Sequence, residues 1–474
     1  MRLRIAIAAL LAALPAGAQR PIAIRDVTVI DGTGAPPRAH QTVLIKGDRI
    51  WRVDTVTAPV PGGATLVEGK GRFVVPGFID MHAHYAVGPV SYDPTKKPPV
   101  ISMRYDHAAS VEMLQTLLAF GVTTIRNPGG PTRESVALRD SVRLGLRVGP
   151  RIFTAGEVLD ATTSEGLVHT VHSEQELRAE IDRETAAGVD YVKLYAALGP
   201  DLIRAGVDEA HRRGVRAIAH LFLTPWTVAA DAGIDGIVHI TPGSALLLPR
   251  ERRPGYLESF RGTQFMLEWF DYVDLASSEI REMTDALVHH NVFIDPTLVT
   301  FEAMAWGDSA RITSSPDLVL APASIAAGWR TFDLTFGWKP DDYAKARHAW
   351  PRALAFAKHL HDAGVQLTAG TDMANPWTVP GASFHRELEI LAAAGIPTLD
   401  VLRIATRNGA RSLGIESEVG SVAPGKIADL VILSADPVAD IRNTRRIAWV
   451  MQSGRFARPA ELLPARLRRS DRAP

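Results

Sequence analysis

Pro76-Gly77-Phe78-Ile79-Asp80-Met81-His82-Ala83-His84 decides the fold, because here a short apolar run closes on two histidines separated by one residue. Residues two apart on a strand point to one face, so His82 and His84 aim together from the strand's C-terminal end. Two converging imidazoles suit Zn²⁺ or a similar borderline metal. By itself His-x-His is common on surface loops, so its meaning depends on the rest of the chain.

Downstream, apolar runs alternate with amphipathic stretches, the pattern of βα units on a parallel sheet. Strands are predicted over 73–81, 122–126, 151–155, 191–194, 215–219, 236–238, 292–294 and 366–369, with helices such as 174–187, 202–213, 343–363 and 386–394 between them. Eight such units are the content of a (β/α)₈ TIM barrel, whose catalytic groups collect at the C-terminal strand ends. Lys193 lies in the fourth strand, His220 and His239 close the fifth and sixth, and Asp372 follows the eighth. Singly, each has an ordinary reading: a structural histidine, a snorkelling lysine, a helix-capping aspartate. Five strands ending in ligand-type side chains outweigh those readings together, and a lysine inside an apolar strand requires a partner.

Both ends of the chain are rich in short β-type runs and turns. They predict one small β-sandwich domain, 19–72 with 415–458, around a barrel of 73–414, followed by a C-terminal tail, 459–474. Residues 1–18 read as a signal peptide: Arg2 and Arg4, an apolar run over 5–14, then Ala16-Gly17-Ala18 before Gln19. The expected location is therefore exported, periplasmic or secreted. That apolar run is shorter than the roughly 20 residues of a spanning helix, so no membrane association is expected after cleavage.

Across 474 residues, 46% hydrophobic and 22% charged, Lys plus Arg equal Asp plus Glu at 52 each. No global field draws in nucleic acid, and the expected partner is a small molecule; a homo-oligomer is compatible with this composition. With no cysteine, a thiolate nucleophile, disulfides and Cys-held zinc are excluded. Any metal must be bound through nitrogen and oxygen.

Two long connections, 241–280 and 300–342, interrupt the βα pattern. The second carries Trp306, Trp329, Phe332, Phe336 and Trp338, and reads either as a lid or pocket wall or as a helical hairpin on the barrel exterior. Tyr195 shares a face with Lys193 and is a candidate substrate contact, as are His169 and His385; a layer-filling tyrosine and surface histidines are the plain alternatives.

The run ending in His82 and His84, Gly121-Val122-Thr123-Thr124, Val192-Lys193, Ala232 to His239, Gly370-Thr371-Asp372 and Pro424-Gly425-Lys426-Ile427-Ala428-Asp429-Leu430 together resemble the amidohydrolase superfamily. The similarity is greatest to the imidazolonepropionase-like branch that includes Xaa-Pro dipeptidases. It implies two divalent metal ions, zinc being the expected identity, with His82, His84 and Asp372 on one, His220 and His239 on the other, and an N-carboxylated, CO₂-derived Lys193 bridging them. Asp372 would take a proton from the attacking water and deliver it to the leaving amine. The chain departs from its relatives at Arg126-Asn127-Pro128, at the single histidine of the fifth strand, and in the loop after the third strand. The resulting expectation is amide hydrolysis of a dipeptide or N-acyl amino acid. Opening of a cyclic amide, or ester or lactone hydrolysis, is the alternative on the same site, and a non-catalytic exported binding protein the alternative of another class.

Overall fold

The structure, a computed structural model, describes residues 20–93, 95–96, 100–162, 166–332 and 334–468; the predicted signal peptide lies outside them. Eight parallel strands follow in order around a barrel: Phe78–Asp80, Val122–Asn127, Arg151–Asp160, Tyr191–Leu194, Arg216–Ala219, Gly236–Val238, Phe293–Asp295 and Gln366–Leu367. Beyond the last strand the ring closes on the first, where Met81 N donates to Ala369 O at 2.8 Å and Ala83 bridges to Met373. The strands are short and buried on both faces, as a parallel sheet covered by helices demands.

Helices begin and stop where local chemistry dictates. In Glu174–Ala187, the Ser173 hydroxyl accepts from Glu176 N, and Gly188 ends the helix in the left-handed region at φ 94°. The 300–342 connection is neither a bare loop nor a hairpin but a run of short helices, including Leu298–Ala305 and Ala323–Gly328.

The predicted strand over 73–81 divides at Gly77. Phe73–Pro76 pairs with Leu430–Leu433 and Ile22–Val29 in the sheet built from the two ends, and only Phe78–Asp80 enters the barrel. At the crossing, Gly77 N donates to Asp429 O (2.8 Å) in one sheet and Phe78 N to Gly121 O (3.0 Å) beside the other. A Cβ at Gly77 would lie 2.1 Å from Thr123 Oγ1. Gly77→Ala is accordingly expected to cost about 1–3 kcal/mol of stability, read from the shift in a denaturant midpoint; an unchanged midpoint would show that Thr123 can give way.

The terminal sheet runs Arg455–Ala457, Ile447–Gln452, Leu430–Leu433, Phe73–Pro76, Ile22–Val29, Arg38–Lys46, Arg49–Thr55, with Thr65–Glu68 beside Ile22–Val29. It is one curled sheet: Ile50 N donates to Lys426 O at 2.8 Å, bringing the far edge back toward Leu430–Leu433. Ile24, Val43, Ile45, Leu430, Ile432 and Met451 form its own core, separate from that of the barrel. Within the expected tail, Pro459–Leu462 and Ala465–Arg468 form helical turns, and Arg466 binds Glu112 Oε2 at 2.7 Å. No helix among the described residues is long and apolar enough to cross a membrane.

Candidate metal centre at the barrel mouth

Asp80 fixes the end of the first strand. Its Oδ1 accepts from His82 N (3.0 Å) and Thr371 N (3.2 Å), and its Oδ2 from Thr371 Oγ1 (2.8 Å), so the first and eighth strands are tied where both turn into the mouth. Burial pushes this carboxyl up to about 7 against the pull of those hydrogen bonds. Just beyond it, His82 and His84 each have one ring nitrogen held from outside: His82 Nδ1 lies 3.1 Å from Asp295 Oδ2, and His84 Nδ1 lies 2.8 Å from Gly129 O. Both Nε2 atoms then face Asp372 Oδ1, at 3.2 and 3.3 Å. Imidazoles pinned in this way are pre-oriented as ligands.

His220 and His239 stand alongside, their ring centroids 4.3 Å apart, with His239 4.8 Å from His82. His239 Nδ1 is 2.7 Å from Thr297 Oγ1, whereas His220 Nδ1 is buried with no hydrogen-bond partner. Such an orphaned nitrogen costs free energy unless something binds it. His239, Thr297 and Asp372 take left-handed φ values of 71°, 47° and 56°, strain that clusters at this rim.

The charges suit ligands as well. Burial, then the Lys193 charge, holds His220 well below the usual imidazole range, and burial, then His220, does the same to His239; both rings are neutral. Burial alone would raise Asp372, but the adjoining His82 and His239 rings and hydrogen bonds from His82 and His84 outweigh it, keeping the carboxyl ionised. Lys193 is 2% exposed. Burial, then Arg126, lowers its ammonium to about 7, opposed by Asp372 and Asp295.

All six residues expected as ligands line one cavity of about 320 Å³. Tyr195 lines it too, its ring 4.9 Å from that of His220 and its phenol pushed up by burial, so the hydroxyl keeps its proton. The other two expected substrate contacts lie elsewhere. His385 is wholly buried behind the barrel mouth, with Nδ1 3.0 Å from Thr444 Oγ1 and Nε2 3.0 Å from Phe120 O, because its helix turns that face inward. His169 sits between Glu157 (3.7 Å) and Glu180 (3.5 Å), on the strand face opposite Val168, which does line the cavity. From the 300–342 segment, Phe301, Met304, Phe332, Leu334 and Phe336 form cavity wall, while Trp306 packs on Trp350 and Trp338 on Tyr343.

Two residues of the site escaped the sequence reading. Asp295 closes the seventh strand and is 1% exposed; the same rule that picked out the other strand ends would have found it had that strand been extended by one residue. Arg126, noted only as a departure, is 2% exposed, donates through Nε to Met81 O at 2.8 Å, and pairs with Asp295 Oδ2 at 3.4 Å.

Residues 73–457 match the Amidohydrolase family. An uncharacterized protein of Mycobacterium tuberculosis is 28% identical over 212 residues, 41% of this chain; the chain spans about half the length of such relatives, 51%. The imidazolonepropionase of Symbiobacterium thermophilum is 22% identical over 90% of this chain and 89% of its own. Among solved structures, a Xaa-Pro dipeptidase with bound methionine in its active site superposes with a TM-score of 0.68 at 18% identity, over 92% of this chain and 99% of that one. A prolidase complexed with N-methylphosphonate-L-proline gives 0.66 at 23% identity, over 92% and 99%. At these identities the structural likeness establishes the shared fold.

Proposed function

The chain belongs to the amidohydrolase family, and on that premise we propose that its barrel mouth is a two-metal centre hydrolysing an amide bond of a small, dipeptide-sized or N-acylated molecule. One observation carries this reading: six nitrogen and oxygen donors from five strand ends converge on a single cavity, and one of them, His220 Nδ1, is buried without any partner. The donor set fits divalent metals such as Zn²⁺, with His82, His84 and Asp372 holding one and His220 and His239 the other. When bound, such metals supply a water nucleophile active at neutral pH and a Lewis acid for the carbonyl.

The chain's own groups do the remaining work. Asp372, ionised and facing the cavity, accepts the proton of the attacking water on a carboxylate oxygen and returns it to the leaving nitrogen. Tyr195 keeps its proton and can donate it as a hydrogen bond to the oxygen on which negative charge develops. A Lys193 amine that is partly neutral can add CO₂ at its Nζ with release of one proton to water, replacing a buried cation by an anion in the cavity that the histidines and Asp372 also line. The names of the prolidase and dipeptidase neighbours support a peptide-like substrate.

Asp295 orients His82 through its Nδ1. Asp295→Asn is therefore expected to weaken metal binding by about 10–100-fold in a competitive chelator titration, and unchanged affinity would remove Asp295 from the centre. The reading as a whole is tested by screening purified, metal-loaded protein against dipeptides and N-acyl amino acids, their esters and amides, and cyclic amides. Amide hydrolysis lost on chelation supports it; hydrolysis of cyclic amides or esters alone would overturn the choice of bond.

A further inference from the structure

The lining of the cavity is of two kinds. One is polar, the six ligand-type residues and Tyr195; the other is apolar and includes Ile101 and Met103 of the hairpin Val90–Asp93/Val100–Met103, Phe301 and Met304, and Phe332 and Leu334. Tyr92 of that hairpin packs against Phe336, their ring centroids 5.3 Å apart. Among the described residues lining the cavity there is no arginine, and Lys193 is the single lysine.

The hydroxyl protons of the wall threonines are already engaged. Thr162 donates to Asp160, Thr263 to Leu334 O and Thr300 to Thr371 O, and Asn375 commits one Nδ2 hydrogen to Asp372 O. The buried Arg126 guanidinium is committed to Met81 O and Asp295. Away from the metal-binding groups and Lys193, a carboxylate on the substrate would be taken out of water against apolar rings, thioethers and aliphatic side chains that, among the described residues, offer no cation, which is costly. An aromatic or branched apolar group meets the same wall favourably.

We propose that the site selects substrates whose scissile amide carries an aromatic or branched apolar group and no free carboxylate: aryl-acyl amides and end-capped peptides in preference to free dipeptides and N-acyl amino acids. This rests on the hydrolase reading above for the chemistry, and on the wall alone for the selectivity.

The probes are N-phenylacetylglycinamide and N-phenylacetylglycine, which share the aryl group and differ in the charged end. Metal-loaded protein is expected to favour the amide by about tenfold or more in kcat/KM. Binding of both probes to the metal-free protein, followed by tryptophan fluorescence, separates selectivity from chemistry. The amide should bind more tightly there too, and Phe332→Ala should weaken it about fivefold or more. Selective binding without hydrolysis of either probe would support the selectivity and overturn the hydrolase reading. Equal treatment of the two, or preference for the carboxylate, would overturn the selectivity whether or not hydrolysis occurs.

Discussion

Asp372→Asn is expected to lower kcat by about 10²–10⁴-fold while KM changes only a few-fold. The substitution keeps the shape of the side chain and one oxygen that can face His82 and His84, now 3.2 and 3.3 Å away, but removes the site's proton acceptor. In the wild type the neighbouring imidazoles and hydrogen bonds keep this buried carboxyl ionised, so it can accept a proton across the neutral range. Because the loss falls on a proton transfer made in the transition state, it should appear in kcat and not in ground-state binding. Steady-state kinetics with circular dichroism as a folding control would measure it. A variant with near-normal kcat would show that Asp372 only holds metal.

Lys193→Ala is the second large effect: turnover should fall below detection and bound metal drop to about one ion or fewer per chain where the wild type holds about two. Removing this buried ammonium, only partly offset by Asp372 and Asp295, does not by itself harm the fold, since a cation at 2% exposure is a liability in a low-dielectric interior. If Lys193 served only as a filler, stability would hold or rise and the metal content would stay. If it bridges as a carbamate, metal is lost while the melting temperature of the metal-free protein is preserved. Metal analysis and calorimetry on the two forms distinguish these. Intact-mass measurement at neutral pH should also show one added CO₂ that disappears on acidification, and an unmodified mass in fully active protein would sink the bridging role.

The barrel was legible because burial on both faces leaves near-continuous apolar strands, and because ligand-type residues at strand ends have no ordinary reason to recur. The split at Gly77 was not legible, since 73–76 and 78–80 are equally apolar and only the partner strands distinguish them. Asp295 was missed by the misplaced end of a three-residue strand, and Arg126 because its partner was missed. His385 and His169 stand close to the mouth in sequence, but which face of a helix or edge strand turns inward is set by packing against Phe120, Thr444 and Glu180. The aromatic 300–342 segment divided between cavity wall and exterior packing, a partition that spacing does not encode.

The strand Phe73–Pro76 pairs with Leu430–Leu433, from the opposite end of the chain, only a few residues before His82. A ribosome delivers those partners last. During synthesis this strand must wait with one edge open, and its final pairing is a high-contact-order step of the slow kind. Completion of the terminal sheet is therefore a late event, and it closes on the strand that leads straight into the first two histidines.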